Sequence, residues 1–437
     1  MSETIEGLSL SDKFLAHYSS RIDSLSQGNP DFRILREKAI SAFSKMGFPS
    51  KKHEEYRYLK LDAFINLQSI FSSKADQTTL DTQLLNNPLI LQDAYRIVLI
   101  DGVFSNTLSD LSGLPQNIEI SSLADAISNN NSSALVHLGT LANVELDPFI
   151  SSNTLAFSDG LFCNVSENSK LEKPIQIIHI QSTAEYSHSR ILFVAEKSSK
   201  CQVVQTFLSA NNSGAASNNT VSEILVGENA HVEWTTFQAE DQSAGLINTT
   251  EVHIKHQGFF KTVTITLGAN LVRNNLNIVL AAPNCEANLY GYYHPIHNQV
   301  FDNHTLVDHR FPRCESNELY KGVIDNKATA IFNGKVYVRK DAQKTNAYQS
   351  NKNILLSDEA TINTKPQLEI YADDVKCSHG SSTGILDPEQ VFYLRSRGIS
   401  LDKARSLLLT AYASEIVEHI PHTSLRESVA QLISERI

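Results

Sequence analysis

Residues 371–384 read YADDVKCSHGSSTG and place a thiol and an imidazole two positions apart, Cys377 and His379. In an extended chain both side chains leave one face, about 6.6–7 Å apart along the strand, with Val375 beside them and Ser378 opposite. At that separation the two groups do not hydrogen-bond comfortably to each other, but they can converge on one metal ion. Thiolate and imidazole suit zinc, copper or iron, whereas magnesium and calcium prefer oxygen. Two donors leave a site open, so a partner chain, bound sulfide or another residue has to complete it. The plainer reading is a packed thiol and a turn histidine before Gly380. A Cys–His nucleophile is a third option, but it needs a base within hydrogen-bond reach and an orienting group. Asp373 and Asp374 could orient, yet both fall at a corner.

A second group lies in GYYHPIHNQVFDNHTLVDHR, residues 291–310: His294, His297, His304 and His309, with Asp302 and Asp308. It lacks the His-Glu-x-x-His pattern of a zinc-protease helix, and Pro295 opposes a helix there. Asp302 and His304 share a strand face, and His309 has the opposite parity. Surface and turn histidines are the plainer reading. No Walker A loop and no Gly-x-Gly-x-x-Gly after a strand is present, so no nucleotide is expected on this chain by those devices.

The elements that position these residues differ along the chain. At 437 residues it is long enough for two or three domains, and 41% apolar with 19% charged residues suits a globular protein. A net charge of −11 argues against nonspecific nucleic-acid binding. Met1–Leu10 has no basic or apolar secretory pattern, and no apolar run approaches 18 residues, so no membrane segment and a cytoplasmic location are expected. The cysteines, Cys163, Cys201, Cys285, Cys314 and Cys377, are odd in number and scattered, which is no disulfide framework. The first four are expected to be buried thiols.

Residues 1–150 read as a mixed helical domain. DFRILREKAISAFSKMG (31–47) predicts a helix capped by Asp31, with Phe32, Leu35, Ala39, Ala42, Phe43 and Met46 on one face and Gly47 at its end. YRIVLIDGVFS (95–105) predicts a hairpin at Asp101–Gly102. The stretch 70–92 is polar and carries little information. From 151 to 386 the pattern is strand and turn. KTVTITLG (261–268) sets Val263, Ile265 and Leu267 against threonines, and 275–280, 334–340 and 366–372 repeat the period of two. ILVGENAHV, VIDNKATAI and LLSDEATIN share one shape, with Ala230, Ala328 and Ala360 four positions after the last aliphatic. Short strands with a small residue at each corner suit a β-solenoid, with an antiparallel sandwich as the rival. Residues 387–437 read as a helical domain. Asp387 and Pro388 start one helix that Gly398 ends, Ser400 caps the next, and Pro421 breaks it before a capping box at Ser424–Glu427. Its apolar face must pack on the body or on a partner.

KPQLEIYADDVKCSHGSSTGILDPEQVFYLRSRGI (365–399) resembles the signature of the SufB/SufD family of the SUF iron–sulfur cluster assembly system, on its SufD side. FNGKVYVRKDAQKTNAYQSNKNILLSDEA (332–360), DNHTLVDH (302–309) and PSKKHEEYRYLKL (49–61) fit the same family. The resemblance covers most of the chain, most strongly from 300 to 412. The SufB side carries a scaffold cysteine where this chain reads AYQSNKN (347–353), and a histidine–glutamate pair in place of CSHG.

The resemblance implies a mainly β fold: a right-handed parallel β-helix between an N-terminal α/β region and a C-terminal helical domain. It implies a non-catalytic scaffold that pairs with SufB edge to edge and binds the ATPase SufC through its C-terminal helices. Leu407, Leu408, Ala411, Tyr412 and Ile416 are the expected contact residues. It ties His379 to a nascent iron–sulfur cluster, transient and shared with SufB, with Cys377 at the same half-site. A homodimer is possible for the isolated chain. The competing expectation is a pectin-lyase-like solenoid enzyme acting on carbohydrate.

Overall fold

Strands of mostly eight to ten residues alternate between two sheets as the chain winds. One sheet has ten strands and the other nine, and in each the neighbours from residue 160 onward are parallel and two strands apart in sequence. This is a parallel β-helix, and parallel pairing excludes the sandwich. The computed structural model describes residues 9–436 apart from 51–52, 60, 62–63, 66–81, 184 and 211–214. Most of the expected 70–92 stretch, Met1–Leu8, and Lys51, Lys52 and Lys60 of the 49–61 motif lie outside the described residues.

In the ten-stranded sheet Val263, Tyr290, Leu319, Ser350 and Gly380 stand in one row, each 27 to 31 residues after the last. The corners repeat as expected. At Gly227–Ala230, Asp325–Ala328 and Ser357–Ala360 the alanine N–H closes a turn, and all three alanines are buried. Asn229 (φ 55°) and Asn326 (φ 53°) take the left-handed conformation there, which asparagine tolerates better than most residues.

The expected boundary at 150 falls inside the helix Pro148–Ala156. Strands before it belong to the sheets: Tyr95–Ile100 pairs in parallel with Ile175–Gln181, and Ile118–Ser122 pairs antiparallel with Gly160–Val165. With the hairpin at Asp101–Gly102 they close the first end of the solenoid. The first long helix is Pro30–Met46, and its cap is Asn29, which accepts from the Phe32 N–H at 3.0 Å. Asp31 is therefore inside the first turn and not the cap, because Pro30 takes the first helical position, where it loses no hydrogen bond.

Val263, Ile265 and Leu267 do not face the lumen. They point outward and are buried under the C-terminal helices with Val204, Phe237 and Tyr292. The lumen side of the same strand carries Thr262 and Thr264, in register with Trp234 and Thr236. Alternation separates two faces, but a solenoid covered by helices buries both.

The helices Pro388–Ser396, Leu401–Val417 and Thr423–Arg436 fold back over the ten-stranded sheet. The last starts one residue before the expected capping box. Lys321, nearly buried, donates to the Tyr412 carbonyl at 2.9 Å, pairs with Glu415 and sits over the Tyr412 ring. The N-terminal helices cover the first coils of the other sheet through Phe14, Phe43, Phe149, Tyr186, Val221 and Ile247. A fully buried pair anchors that layer. Arg190 meets Glu223 at 2.5 Å, and Glu223 also accepts the N–H groups of Gly139, Leu141 and Ala142 at 2.9–3.1 Å.

His188 lies among Phe14, Tyr18 and Tyr186 in this layer. Burial, then Arg36, pushes its pKa down to about 3. Between that value and about 6.5 the unfolded chain takes up a proton that the folded chain refuses, so stability falls as pH drops. His188→Phe is expected to gain on wild type by up to about 1.4 kcal/mol per pH step below 6.5 in melts from pH 7 to 4. A constant difference across that range would refute this.

Candidate functional site at the open end of the β-helix

Lys376–Gly384 is the last strand of the ten-stranded sheet and Thr361–Ile370 the last of the nine. Each has a neighbour on one side only. Most residues of the final strand are exposed, whereas strands of the first coils are buried nearly throughout. The N-terminal segment touches the last strand of the nine through the pair Lys365–Glu54 at 2.7 Å.

Lys376–Gly384 lies parallel to Asn346–Leu355, with Cys377 over Ala347, His379 over Gln349 and Ser381 over Asn351. Ala347, Gln349 and Asn351 are buried and Tyr348 and Lys352 are exposed, so Cys377 and His379 continue the lumen-facing rows. They share one face at the mouth of the lumen, as their spacing predicts. Cys377 is half-buried against Val336, Val338, Ala342 and Ala347, and burial pushes its thiol pKa up. His379 is exposed. Among the described residues no three His, Cys, Asp or Glu side chains gather as a metal would need. Cys377 and His379 thus form a two-donor edge.

Behind them the lumen is polar. Glu318 accepts from Thr305 Oγ1 at 2.6 Å and from Gln349 Nε2 at 2.7 Å, and burial pushes its pKa up to about 7. Gln349 fills space that Gly334 leaves open, since a Cβ there would lie 2.4 Å from Gln349 Nε2. Tyr293 Oη donates to Asn353 at 2.6 Å and accepts from Asn351 at 3.0 Å, and Thr364 Oγ1 reaches both Asn351 and Ser381 at 3.0 Å. None of these residues was nominated from sequence. The available signal was NAYQSNKN, where Gln349, Asn351 and Asn353 alternate as a polar row in a strand.

The other cysteines are buried inside the solenoid. Burial pushes Cys201 up to about 12. The second histidine group does not assemble. His294 and His309 are buried, and His297 is a corner residue with φ 57°. His304 pairs with Asp302 at 2.9 Å, and Arg273 joins Asp302 at 2.7 Å, donates to the Glu55 carbonyl and stacks on Tyr56. That cluster fastens the N-terminal segment to the sheet.

Of the expected helical contact residues, Leu407 and Ala411 are exposed and Leu408 is half-buried. Tyr412 is tied to the body through its hydroxyl on the Lys352 carbonyl at 2.6 Å. Ile416 is fully buried against the chain's own sheet, so it is a docking residue of the helix. Phe392 and Tyr393, not nominated, are 73% and 55% exposed on the preceding helix and add exposed apolar surface to the C-terminal module.

Among the described residues no helix is long and apolar enough to cross a membrane. A family model described as the SUF system FeS cluster assembly SufBD core domain matches residues 178–412, and one for the SufBD protein N-terminal region matches residues 8–177. An iron–sulfur cluster assembly SufBD family protein of Synechocystis is 32% identical, with 92% of this chain and 90% of that protein covered. The iron–sulfur cluster assembly protein SufD of Escherichia coli is 30% identical, with 92% of each chain covered.

Proposed function

Because the chain belongs to the SufBD family of SUF iron–sulfur cluster assembly proteins, we propose that it is a scaffold subunit with no reaction of its own. Its bare last coil pairs with the matching coil of a SufB subunit. Cys377 and His379 then form half of a shared site that holds an iron–sulfur cluster transiently as cargo. The partner supplies the remaining donors, since two cannot close an iron site. Leu407, Leu408 and Ala411, together with Phe392 and Tyr393, are the surface offered to SufC. ATP is bound by that ATPase and not by this chain. Without SufB, two copies of the open edge can pair as a homodimer. The carbohydrate-enzyme alternative is set aside, since the family is one of cluster assembly.

The observation that carries this reading is the final strand, free on its outer edge, with a thiol and an imidazole at the lumen mouth. Lys376 donates its N–H inward to Thr345, so in a parallel ladder the N–H groups of the odd-numbered residues, Thr383 included, face the free edge. Thr383→Pro removes an edge donor and spares the chain's own ladder. It is expected to abolish co-purification with SufB while the melting temperature and SufC binding persist. Leu407→Asp is expected to do the reverse. Retention of SufB by Thr383→Pro would reject edge pairing.

A further inference from the structure

We propose that Gln349 and Glu318 are positioning residues for His379, holding its imidazole in one tautomer so that the other ring nitrogen is free to bind iron. This rests on the half-site reading above. Three observations on the lumen row converge. Glu318, Gln349 and His379 occupy successive coils in register on the lumen side of the sheet. Gln349 is 3% exposed and its amide nitrogen is committed to Glu318, which a second donor, Thr305, fixes from the other side. The carbonyl oxygen of Gln349 is left buried with no hydrogen-bond partner.

An unmatched buried acceptor costs about 1–3 kcal/mol, so a fold keeps one where something arrives to use it. The next side chain up the row is His379. A neutral imidazole has one N–H to give and one lone pair to bind metal, and what it donates to decides which nitrogen is which. Metal-bound histidines almost always give that N–H to a carbonyl or carboxylate. Gln349 offers such a carbonyl, aligned by Glu318 because the carboxylate accepts from the amide nitrogen and turns the oxygen away. Gly334 contributes by absence, since any side chain there would displace the amide.

The test is NMR of the full chain labelled with ¹⁵N-histidine, the His379 signal being identified by its loss in His379→Gln. Wild type is expected to show a single tautomer at His379. Gln349→Leu is expected to give a mixture, and Gln349→Glu, which keeps an acceptor, to retain the single form. In the complex with SufB and SufC, Gln349→Leu should weaken iron retention by about 10- to 100-fold. Should Gln349→Leu melt early, Gln349→Asn, one methylene shorter, carries the same expectation. An unchanged His379 tautomer in the folded variant overturns the proposal, even where His379→Ala has lost its cluster. If His379→Ala keeps its cluster, the half-site reading fails instead, and the tautomer result still judges the orientation.

Discussion

His379→Ala, co-expressed with SufB and SufC and isolated anaerobically, is expected to assemble a normal complex that carries less than about a tenth of the wild-type cluster, a loss of more than 1.4 kcal/mol in retention. The side chain is exposed on the last strand and no packed contact depends on it, so its removal should leave the fold intact. On the proposed half-site, a cluster shared by two chains would lose one of few donors, and no second imidazole stands on this strand to replace it. Cys377→Ala is the companion variant. Its thiol is half-buried and burial opposes the thiolate, so metal must displace a proton before the sulfur can bind. A smaller loss for Cys377→Ala than for His379→Ala would make the sulfur an auxiliary donor. Normal cluster in both variants, measured by absorbance and iron content on complexes matched by gel filtration, would reduce this chain to a structural partner.

Glu223→Leu is expected to have the largest effect on stability, about 3–5 kcal/mol, because it strands the Arg190 guanidinium in the interior. Both side chains are fully buried. Glu223 also takes three backbone N–H groups of residues 139–142, so the N-terminal layer should loosen where it meets the solenoid. Limited proteolysis is then expected to cut near 139–142 in the variant and not in wild type. Arg190→Met combined with Glu223→Leu should recover part of the loss, since the stranded charge is gone. A loss under about 1 kcal/mol for the single variant in urea melts would mean that water reaches Arg190.

The solenoid was legible because its physics is local and repeated. Period-two strands, asparagine or polar corners and the buried alanines at 230, 328 and 360 recur on every few coils. The pairing of Cys377 with His379 on one face followed from strand geometry alone. What was hidden depended on long-range contact. The outward burial of Val263, Ile265 and Leu267 needs helices that begin over 120 residues later. The boundary near 150 was blurred because the parallel partner of Tyr95–Ile100 starts 75 residues on. Ile416 reads as one more apolar residue on a helix face, and only docking separates it from Leu407. The lumen glutamine and glutamate escaped notice because polar residues in a strand ordinarily mark the wet face, whereas here they face the enclosed lumen and Tyr348 and Lys352 take the wet face.

The even register of the coils has an evolutionary corollary. Each turn hands the next its strand rows in register, so residues from the corner at Ser357–Ala360 to Gly384 form one terminal coil laid on the coil below. Recombination at that corner would replace the terminal chemistry wholesale while the inherited scaffold below kept its shape. Two descendants of one gene could thus acquire complementary ends and become obligate mates, each retaining its own helices for a common motor.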